Sequence, residues 1–282
     1  MILLQDGLFH RSEVHIDIED RGYQFGDGVY EVIRVYNGQF FGMAEHMERL
    51  ERSAREIQLQ LPYPTDLLQE RLNDLINATK LKDGQVYLQV TRGVFERMHH
   101  FPVNPKSTLV AYTKETGRPL DKINQGISAI TTEDIRWLRC DIKSLNLLGN
   151  VLCKQRAKEA NCDEAILLRG NTVTEGSSTN VFIVKDRTLY THPANNYILN
   201  GITRNVIIEI AKTQQLAVKE ESFDKVALMS ADEVMVTSTT MEITPVTTID
   251  DLQIGSGSPG PITKQIQVKF DEKVEKLLTA AN

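Results

Sequence analysis

Lys143 is the residue whose surroundings first suggest chemistry. It lies at the end of a probable strand, in the segment Asp141-Ile142-Lys143-Ser144-Leu145-Asn146. Most lysines of a soluble protein are solvated surface charges. A lysine amine that attacks an aldehyde to form a Schiff base instead needs a lowered pKa, which partial burial and neighbouring cations provide. The apolar neighbours of Lys143 are compatible with such burial, so the residues alone leave both interpretations open.

The second candidate is a carboxylate, Glu175, in a run of small polar residues between two strand candidates, Thr174-Glu175-Gly176-Ser177-Ser178-Thr179-Asn180. The simpler interpretation is a turn rich in small residues. Alternatively, the carboxylate pairs with a pyridinium nitrogen and keeps it protonated, which makes the ring a better electron sink. The small residues would then let the backbone approach a flat ligand closely.

Three further groups could bind a phosphate. The segment Gly201-Ile202-Thr203-Arg204 precedes a probable helix, which Thr203 is well placed to cap. An N-cap alone would explain this segment, but the free amides at a helix N-terminus also form a natural phosphate site. Ser238 and Thr239 follow a predicted strand and would add hydroxyl donors, and Arg49 would add positive charge.

The elements that must position these groups can be predicted from the pattern of apolar residues. In the first half of the chain, Asn37-Gly38 is a strong signal for a hairpin turn. A polar loop that carries Arg97 and His99 joins two later strands. The predicted helices are 45–57 and 65–78, with Thr65 as a plausible N-cap, and the predicted strands are 14–17, 28–36, 85–92 and 108–113.

The second half contains more strands than helices. Few βαβ alternations appear in it, so an α+β fold with two domains fits better than a doubly wound sheet. The predicted strands are 127–132, 164–169, 180–184, 188–191 and 233–237, and the predicted helices are 146–160, 204–215 and 263–278. We place the domain boundary near Gly117: a small N-terminal domain 1–117, an interdomain linker 118–122 and a larger C-terminal domain 123–282.

Composition limits the class of protein. Of 282 residues, 41% are hydrophobic and 25% are charged, as in a soluble globular protein. The apolar runs are far shorter than the ~20 residues that span a bilayer, and the N-terminus lacks the features of a secretory signal. We therefore expect a cytoplasmic protein without a membrane partner. A net charge of −6 argues against nucleic acid as the main partner. The three cysteines lack CxxC spacing and a nearby histidine cluster, so neither a metal site nor a disulfide is expected.

Together these segments resemble the fold-type IV enzymes, which depend on pyridoxal 5'-phosphate (PLP), and in particular the D-amino acid aminotransferases among them. The match covers nearly the whole chain in the right order, which turn chemistry does not explain. It implies a small N-terminal α/β domain and a larger C-terminal domain of mixed, barrel-like α/β structure. Besides the segments quoted above, the match rests on residues 20–31, 45–50, 90–93, 133–148, 191–196 and 236–240.

The resemblance implies a role for each candidate residue. Lys143 would hold PLP as a Schiff base and then shuttle a proton between the substrate Cα and C4' of the cofactor. Glu175 would face the pyridine nitrogen. The remaining cofactor contacts, around the phosphate, would be Arg49, Ile202, Thr203, Ser238 and Thr239.

The resemblance also implies a trap for the α-carboxylate of the substrate, formed by Tyr30, Arg97 and His99. The loop that bears Arg97 and His99 would reach across the interface of a homodimer to the partner's site. Arginine suits this role because its planar donors match a carboxylate bidentately. Without the resemblance, an exposed basic loop would be the simpler interpretation.

The enantiomer is expected to depend on this loop. In the family the lysine protonates the same cofactor face, so the side of the pocket that takes the carboxylate decides which enantiomer reacts. The signature Arg97-Met98-His99 indicates the D-type arrangement. One departure is Glu96, where members usually carry a proline; it could loosen the loop or pair with Arg97. His100 is a second candidate for the active histidine.

The expected reaction is reversible transamination between a D-amino acid, such as D-alanine, and a 2-oxo acid, such as 2-oxoglutarate or pyruvate. The same scaffold would also suit a transaminase of branched-chain L-amino acids or (R)-amines. It would equally suit a lyase such as aminodeoxychorismate lyase, which needs no amino acceptor. A PLP-binding protein without turnover would keep the same residues, so kinetics alone would separate it from an enzyme.

Overall fold

The computed structural model describes residues 1–280. Its contacts divide the chain into two compact units. Unit 1 comprises Met1–Gly117, Ile142–Asn146 and the chain from Leu277, and unit 2 comprises Arg118–Asp141 and Leu147–Lys276. The segment around Lys143 thus belongs to unit 1, which a single boundary along the chain does not anticipate. The division into domains 1–117 and 123–282 with a linker at 118–122 stays a prediction.

Unit 1 is an antiparallel sheet with helices. Between residues 1 and 117 the strands are β1 Ile2–Leu4, β2 Gly7–Phe9, β3 Gly28–Tyr36, β4 Gln39–Phe40, β5 Gly84–Thr91 and β6 Thr108–Glu115. The α-helices there are α1 Arg21–Phe25, α2 Met43–Glu56 and α3 Thr65–Thr79, and a 3-10 turn spans Arg11–Glu13. The strand order is β2-β1-β6-β5-β3-β4.

The alternation of side chains along β3 and β5 makes one face of this sheet apolar. That face packs against α2 and α3, whose apolar residues recur every three or four positions. Fully burying one such side chain contributes about 1.5–3 kcal/mol. The β3–β4 hairpin forms as predicted, with positive φ at Asn37 (44°) and Gly38 (79°). The core of unit 1 includes Val29, Ile33, Val86, Leu88, Met47, Leu50, Leu68 and Leu72.

Two expectations for unit 1 were wrong. Residues 14–17 form no strand and are mostly exposed, since no neighbouring strand pairs with them in the described sheet. Thr65 is the first helical residue of α3 rather than its N-cap, which is Pro64. The hydroxyl of Thr65 instead donates to Glu51 Oε1 at 2.9 Å.

Unit 2 is built on a mixed sheet. Between residues 118 and 276 the strands are β7 Ile127–Glu133, β8 Glu164–Arg169, β9 Thr172–Gly176, β10 Asn180–Lys185, β11 Thr188–Thr191, β12 Ala217–Glu220, β13 Glu233–Ser238, β14 Glu242–Ile249 and β15 Leu252–Gln253. The helices are α4 Leu120–Gln125, α5 Leu148–Glu159, α6 Ile202–Thr213, α7 Lys225–Met229 and α8 Pro261–Ala280, whose last turn is grouped with unit 1.

The strand order of this sheet is β12-β11-β10-β13-β14-β7-β8-β9, with β15 paired to β14. The pairs β11–β12, β14–β7 and β7–β8 are parallel and the others antiparallel. The predicted α+β class is confirmed by this mixture of helices with mixed and antiparallel sheets. Arg118, in the predicted linker, pairs with Glu242 at 2.6 Å within unit 2. A search of the helices over residues 1–280 finds none long and apolar enough to cross a membrane.

Candidate active site

Lys143 lies beside the first residues of β3 in unit 1. Its carbonyl accepts the N–H of Tyr30 at 3.0 Å, and an isolated antiparallel bridge joins Val29 to Ser144. This pairing places Lys143 opposite Tyr30, on the same face, and Ile142 on the opposite, apolar face. Lys143 Nζ accordingly lies 4.3 Å from the centre of the Tyr30 ring, while Ile142 is buried in the core. The side chain of Lys143 is half-buried, between the two interpretations of its sequence.

Tyr30 belongs to a row of aromatic rings on this face of the sheet. Its ring stacks on that of Tyr87 with centroids 5.8 Å apart, and Tyr87 in turn contacts Tyr112. Burial is the main cause that raises the pKa of Tyr87, so its hydroxyl stays protonated at neutral pH. Tyr30 thus offers its ring to the Lys143 amine from a fixed position.

Arg49 lies on α2 in a buried cluster with Glu31 of β3. Nε and Nη2 of Arg49 donate to the two oxygens of Glu31, each at 2.8 Å. His46 Nδ1 lies 2.7 Å from Glu31 Oε2. Burial raises the pKa of Glu31, but Arg49 and His46 outweigh it and hold that pKa well below its usual range. Burial lowers the pKa of His46, with Glu31 acting in the opposite direction.

Arg97 and His99 gather around Phe25 on the exposed loop after β5. The Arg97 guanidinium lies 5.0 Å from the centre of the Phe25 ring, and the His99 ring lies 5.6 Å from it. No hydrogen bond or ring contact joins either residue to Tyr30 within the described part of unit 1. Glu96 is exposed, and among residues 1–280 no ion pair between it and Arg97 is present.

Glu175 lies near the end of strand β9 in unit 2 and is 5% exposed. Its Oε2 accepts from Asn180 Nδ2 at 2.9 Å and from the N–H of Leu199 at 3.1 Å. Arg136 Nη1 donates to Oε1, while Nε of the same arginine donates to Asp134 at 2.9 Å. Burial nevertheless raises the pKa of Glu175 to about 7. A cation placed against this carboxylate would therefore favour its charged form.

The turn that follows Glu175 is held by a second buried carboxylate, Glu164 of β8. Its oxygens accept the hydroxyls of Ser177, Ser178 (3.4 Å) and Thr179 (3.1 Å). The small residues that the sequence interpretation treated as a turn do form one. Their hydroxyls are directed at Glu164, so this turn has a fixed conformation next to Glu175.

The N-terminus of α6 is uncapped by any side chain. Its N-cap is Gly201, in an extended conformation, and Ile202 and Thr203 are the first helical residues. The expectation that Thr203 caps the helix was therefore wrong, because the cap lies two residues earlier. A Cβ at Gly201 would stand 2.1 Å from Asn180 Oδ1, so only glycine allows this close approach. The uncapped first turn presents amides of the kind that bind phosphate.

Ser238 ends β13 and begins the turn that contains Thr239. Ser238 Oγ accepts the N–H of Met241 at 3.1 Å. In the sheet, Asn180 at the start of β10 lies opposite Thr237 at the end of β13. Asn180 therefore contacts Glu175, the glycine before α6 and the end of β13, which brings the unit 2 candidates to one end of the sheet.

The predicted residues thus form two sets, one on each unit. Unit 1 carries an amine and a guanidinium (Lys143, Arg49); unit 2 carries a buried carboxylate, a free helix N-terminus and hydroxyls (Glu175, Ile202, Thr203, Ser238, Thr239). These donors and acceptors fit the aldehyde, pyridine nitrogen and phosphate of PLP. The Glu175 carboxylate, whose pKa of about 7 leaves it short of positive charge, is the observation that fits a pyridinium best.

Sequence reasoning missed four residues of these sets, Glu31, His46, Arg136 and Asn180. Charged and amide side chains carry no periodic signal, and their partners are remote in sequence. Only Arg136 and Glu175, 39 residues apart, shared a clue, since both lie in segments that resemble the family.

Known proteins resemble this chain along most of its length. Residues 28–249 match the family described as Amino-transferase class IV. A D-alanine aminotransferase of Staphylococcus haemolyticus is 50% identical over 275 residues, which cover 97% of this chain and 98% of that protein. A branched-chain amino acid aminotransferase of Escherichia coli has a similar structure, with a TM-score of 0.92, 29% identity, and coverage of 96% and 93%. Another, from T.th. and with pyridoxamine 5'-phosphate, has a TM-score of 0.90, 26% identity, and coverage of 96% and 92%.

Proposed function

The chain belongs to the class IV aminotransferase family, and from this we propose that it transfers the amino group of a D-amino acid, such as D-alanine, to a 2-oxo acid, with PLP as cofactor. The relatives that are about half identical over nearly the whole chain support the D-amino acid. The observation that carries the proposal in the structure is the contact of Lys143 Nζ with the Tyr30 ring. It joins the proposed cofactor lysine to a proposed substrate residue.

Both sets of residues are proposed to serve the same PLP. PLP supplies an electrophilic carbon and an electron sink. Glu175 holds a proton on the pyridine nitrogen, and Arg136 and Asn180 fix the orientation of its carboxylate. Lys143 Nζ takes the proton from the substrate Cα and delivers it to C4' of the cofactor. The proposed phosphate ligands are Arg49, Ile202, Thr203, Ser238 and Thr239.

Tyr30, Arg97 and His99 are proposed to bind the α-carboxylate of the substrate. Since Tyr30 has no described contact with Arg97 or His99, we assign the two loop residues to the site of a partner subunit in a homodimer. Exposed apolar side chains support such an assembly, because large apolar patches mark protein contacts. On α5, Leu148 (70% exposed), Val151 (58%) and Leu152 (46%) share one helical face. On unit 1, Val103 is 83% exposed.

The proposed location is the cytoplasm. The cysteines Cys140 and Cys153 are free and buried, and burial raises the pKa of the Cys140 thiol to about 11. Such thiols are inert in a reducing compartment. They give no support to a disulfide framework of the kind that secreted proteins use.

The test is a half-reaction screen of the PLP-loaded protein with single amino acids. D-Alanine should convert the PLP absorbance to that of the pyridoxamine form, and 2-oxoglutarate should restore it. L-Leucine should leave the spectrum unchanged. Conversion by L-leucine but not by D-alanine would contradict the D-specific assignment and favour the branched-chain alternative that the structural relatives suggest. Release of pyruvate without an acceptor would favour a lyase. Lys143→Ala should abolish the lysine-bound absorbance.

A further inference from the structure

Glu31 is a fully buried carboxylate that the proposed reaction does not use. It lies on β3 next to Tyr30, and because side chains alternate along a strand, it points to the opposite, apolar face. Its exposure is 0%. Both of its oxygens are engaged by α2: Arg49 Nε and Nη2 at 2.8 Å, and His46 Nδ1 at 2.7 Å. All of its partners on the described chain thus come from one helix.

Stability alone does not explain this cluster. The neighbouring core residues, such as Ile33 and Leu50, are apolar and fully buried. Taking charges out of water is costly, and a buried ion pair can often be replaced by apolar side chains of similar volume without loss of stability. Its best-attested use is to fix the register of two elements. Here the elements are β3 and α2.

The register of α2 matters because its polar stripe continues to Lys143. His46, Arg49 and Ser53 are spaced three and four residues apart, so they share one helical face. Ser53, also fully buried, accepts the backbone N–H of Lys143 at its Oγ, 3.2 Å away. The carbonyl of Lys143 in turn accepts from Tyr30, the neighbour of Glu31. The contacts therefore form a closed ring through β3, α2 and the lysine segment.

We propose that Glu31 is a positioning residue for cofactor binding: by clamping His46 and Arg49 it fixes α2, so that Arg49 and Ser53 stand in register with Lys143. This proposal rests on the proposed binding of PLP by Lys143 and Arg49. Glu31 also contributes the negative charge of the cluster. The ionisable groups around it are Arg49 and His46 on α2, Tyr30 on β3 and Lys143 itself.

The test compares Glu31→Gln with Glu45→Gln, a matched control on the exposed side of α2. Two quantities are measured: the PLP dissociation constant of the cofactor-free protein, by fluorescence, and the pH midpoint of the absorbance of lysine-bound PLP. Glu31→Gln should weaken PLP about tenfold, as expected when a charge-assisted hydrogen bond loses its geometry. It should also lower the midpoint by about one pH unit, because removing a carboxylate disfavours a protonated nitrogen nearby. Glu45→Gln should change neither.

Circular dichroism serves as the fold control. If Glu31→Gln does not fold, Glu31→Asp takes its place: it keeps the charge and shortens the reach by one methylene, so PLP should still weaken at least about threefold. Glu31 variants that fold and bind PLP as tightly as the control, or more tightly, would overturn the proposal, as would an unchanged midpoint in Glu31→Gln. Failure of the proposed function looks different: the wild type would form the lysine-bound band yet not react with D-alanine, and the affinity comparison would still decide the role of Glu31.

Discussion

Replacing Glu175 by glutamine should stabilise the cofactor-free protein in a pH-dependent way. Burial raises the pKa of Glu175 from 4.5 to about 7, despite Arg136. One pKa unit corresponds to about 1.4 kcal/mol. The ionised carboxylate therefore costs the cofactor-free protein about 3 kcal/mol. Because the folded pKa is the raised one, this cost is absent below pH 4.5 and complete above pH 7. Glutamine never ionises, so it escapes the cost.

The assay is urea unfolding between pH 5 and pH 8, followed by the fluorescence of Trp137. This is the only tryptophan of the sequence, and it lies in unit 2 beside Arg136. The difference in unfolding free energy between Glu175→Gln and wild type should grow by about 3 kcal/mol across this range. Exposed Glu221→Gln is the control and should show no growth. With PLP bound the advantage should vanish, since a pyridinium compensates the carboxylate. A difference that stays constant with pH would refute the reasoning.

Three further changes test other contacts. Asn180→Ala removes a donor from Glu175 Oε2, so it should raise the pKa of Glu175 further and weaken PLP about tenfold in a fluorescence titration. Arg97→Leu removes a bidentate donor from the proposed carboxylate trap and should raise KM for D-alanine about 10- to 100-fold, with a smaller change in kcat; steady-state kinetics would contradict this if kcat fell and KM did not move. Val151→Glu places a charge on the exposed apolar face of α5 and should shift the protein from dimer to monomer in analytical ultracentrifugation, whereas an unaltered dimer would exclude this face from the interface.

The periodic parts of the fold were predictable from sequence. Helices α2 and α3 and strands β3, β5, β6 and β10 fall within about two residues of their predicted bounds, since each presents one apolar face or is buried. The wrong strand at 14–17 has the composition of a strand but no partner in the described sheet. Strand β12 was missed because it lies at the edge of the sheet and is mostly exposed, so its residues do not alternate.

The candidate site was predictable only in part. Lys143, Glu175 and the glycine before α6 lie at chain positions where a strand or helix ends, which gives a local signal. The partners that orient them do not. Arg136 reaches Glu175 across 39 residues, and Ser53 reaches Lys143 across 90. Such contacts depend on tertiary packing, so no window of sequence contains both partners.

The two buried glutamates show how the fold separates support from function. Glu31 and Glu175 are both nearly inaccessible, yet the pKa of Glu31 lies well below its usual range and that of Glu175 rises to about 7. Glu31 already has its counter-charge in Arg49, with His46 as a second partner, so its interactions are complete without a ligand. Arg136, by contrast, is shared between Glu175 and Asp134, which leaves Glu175 undercompensated. A buried carboxylate in that condition gains most from a cation that arrives with a ligand. The difference in charge balance, rather than burial, therefore assigns Glu31 to the scaffold and Glu175 to the cofactor.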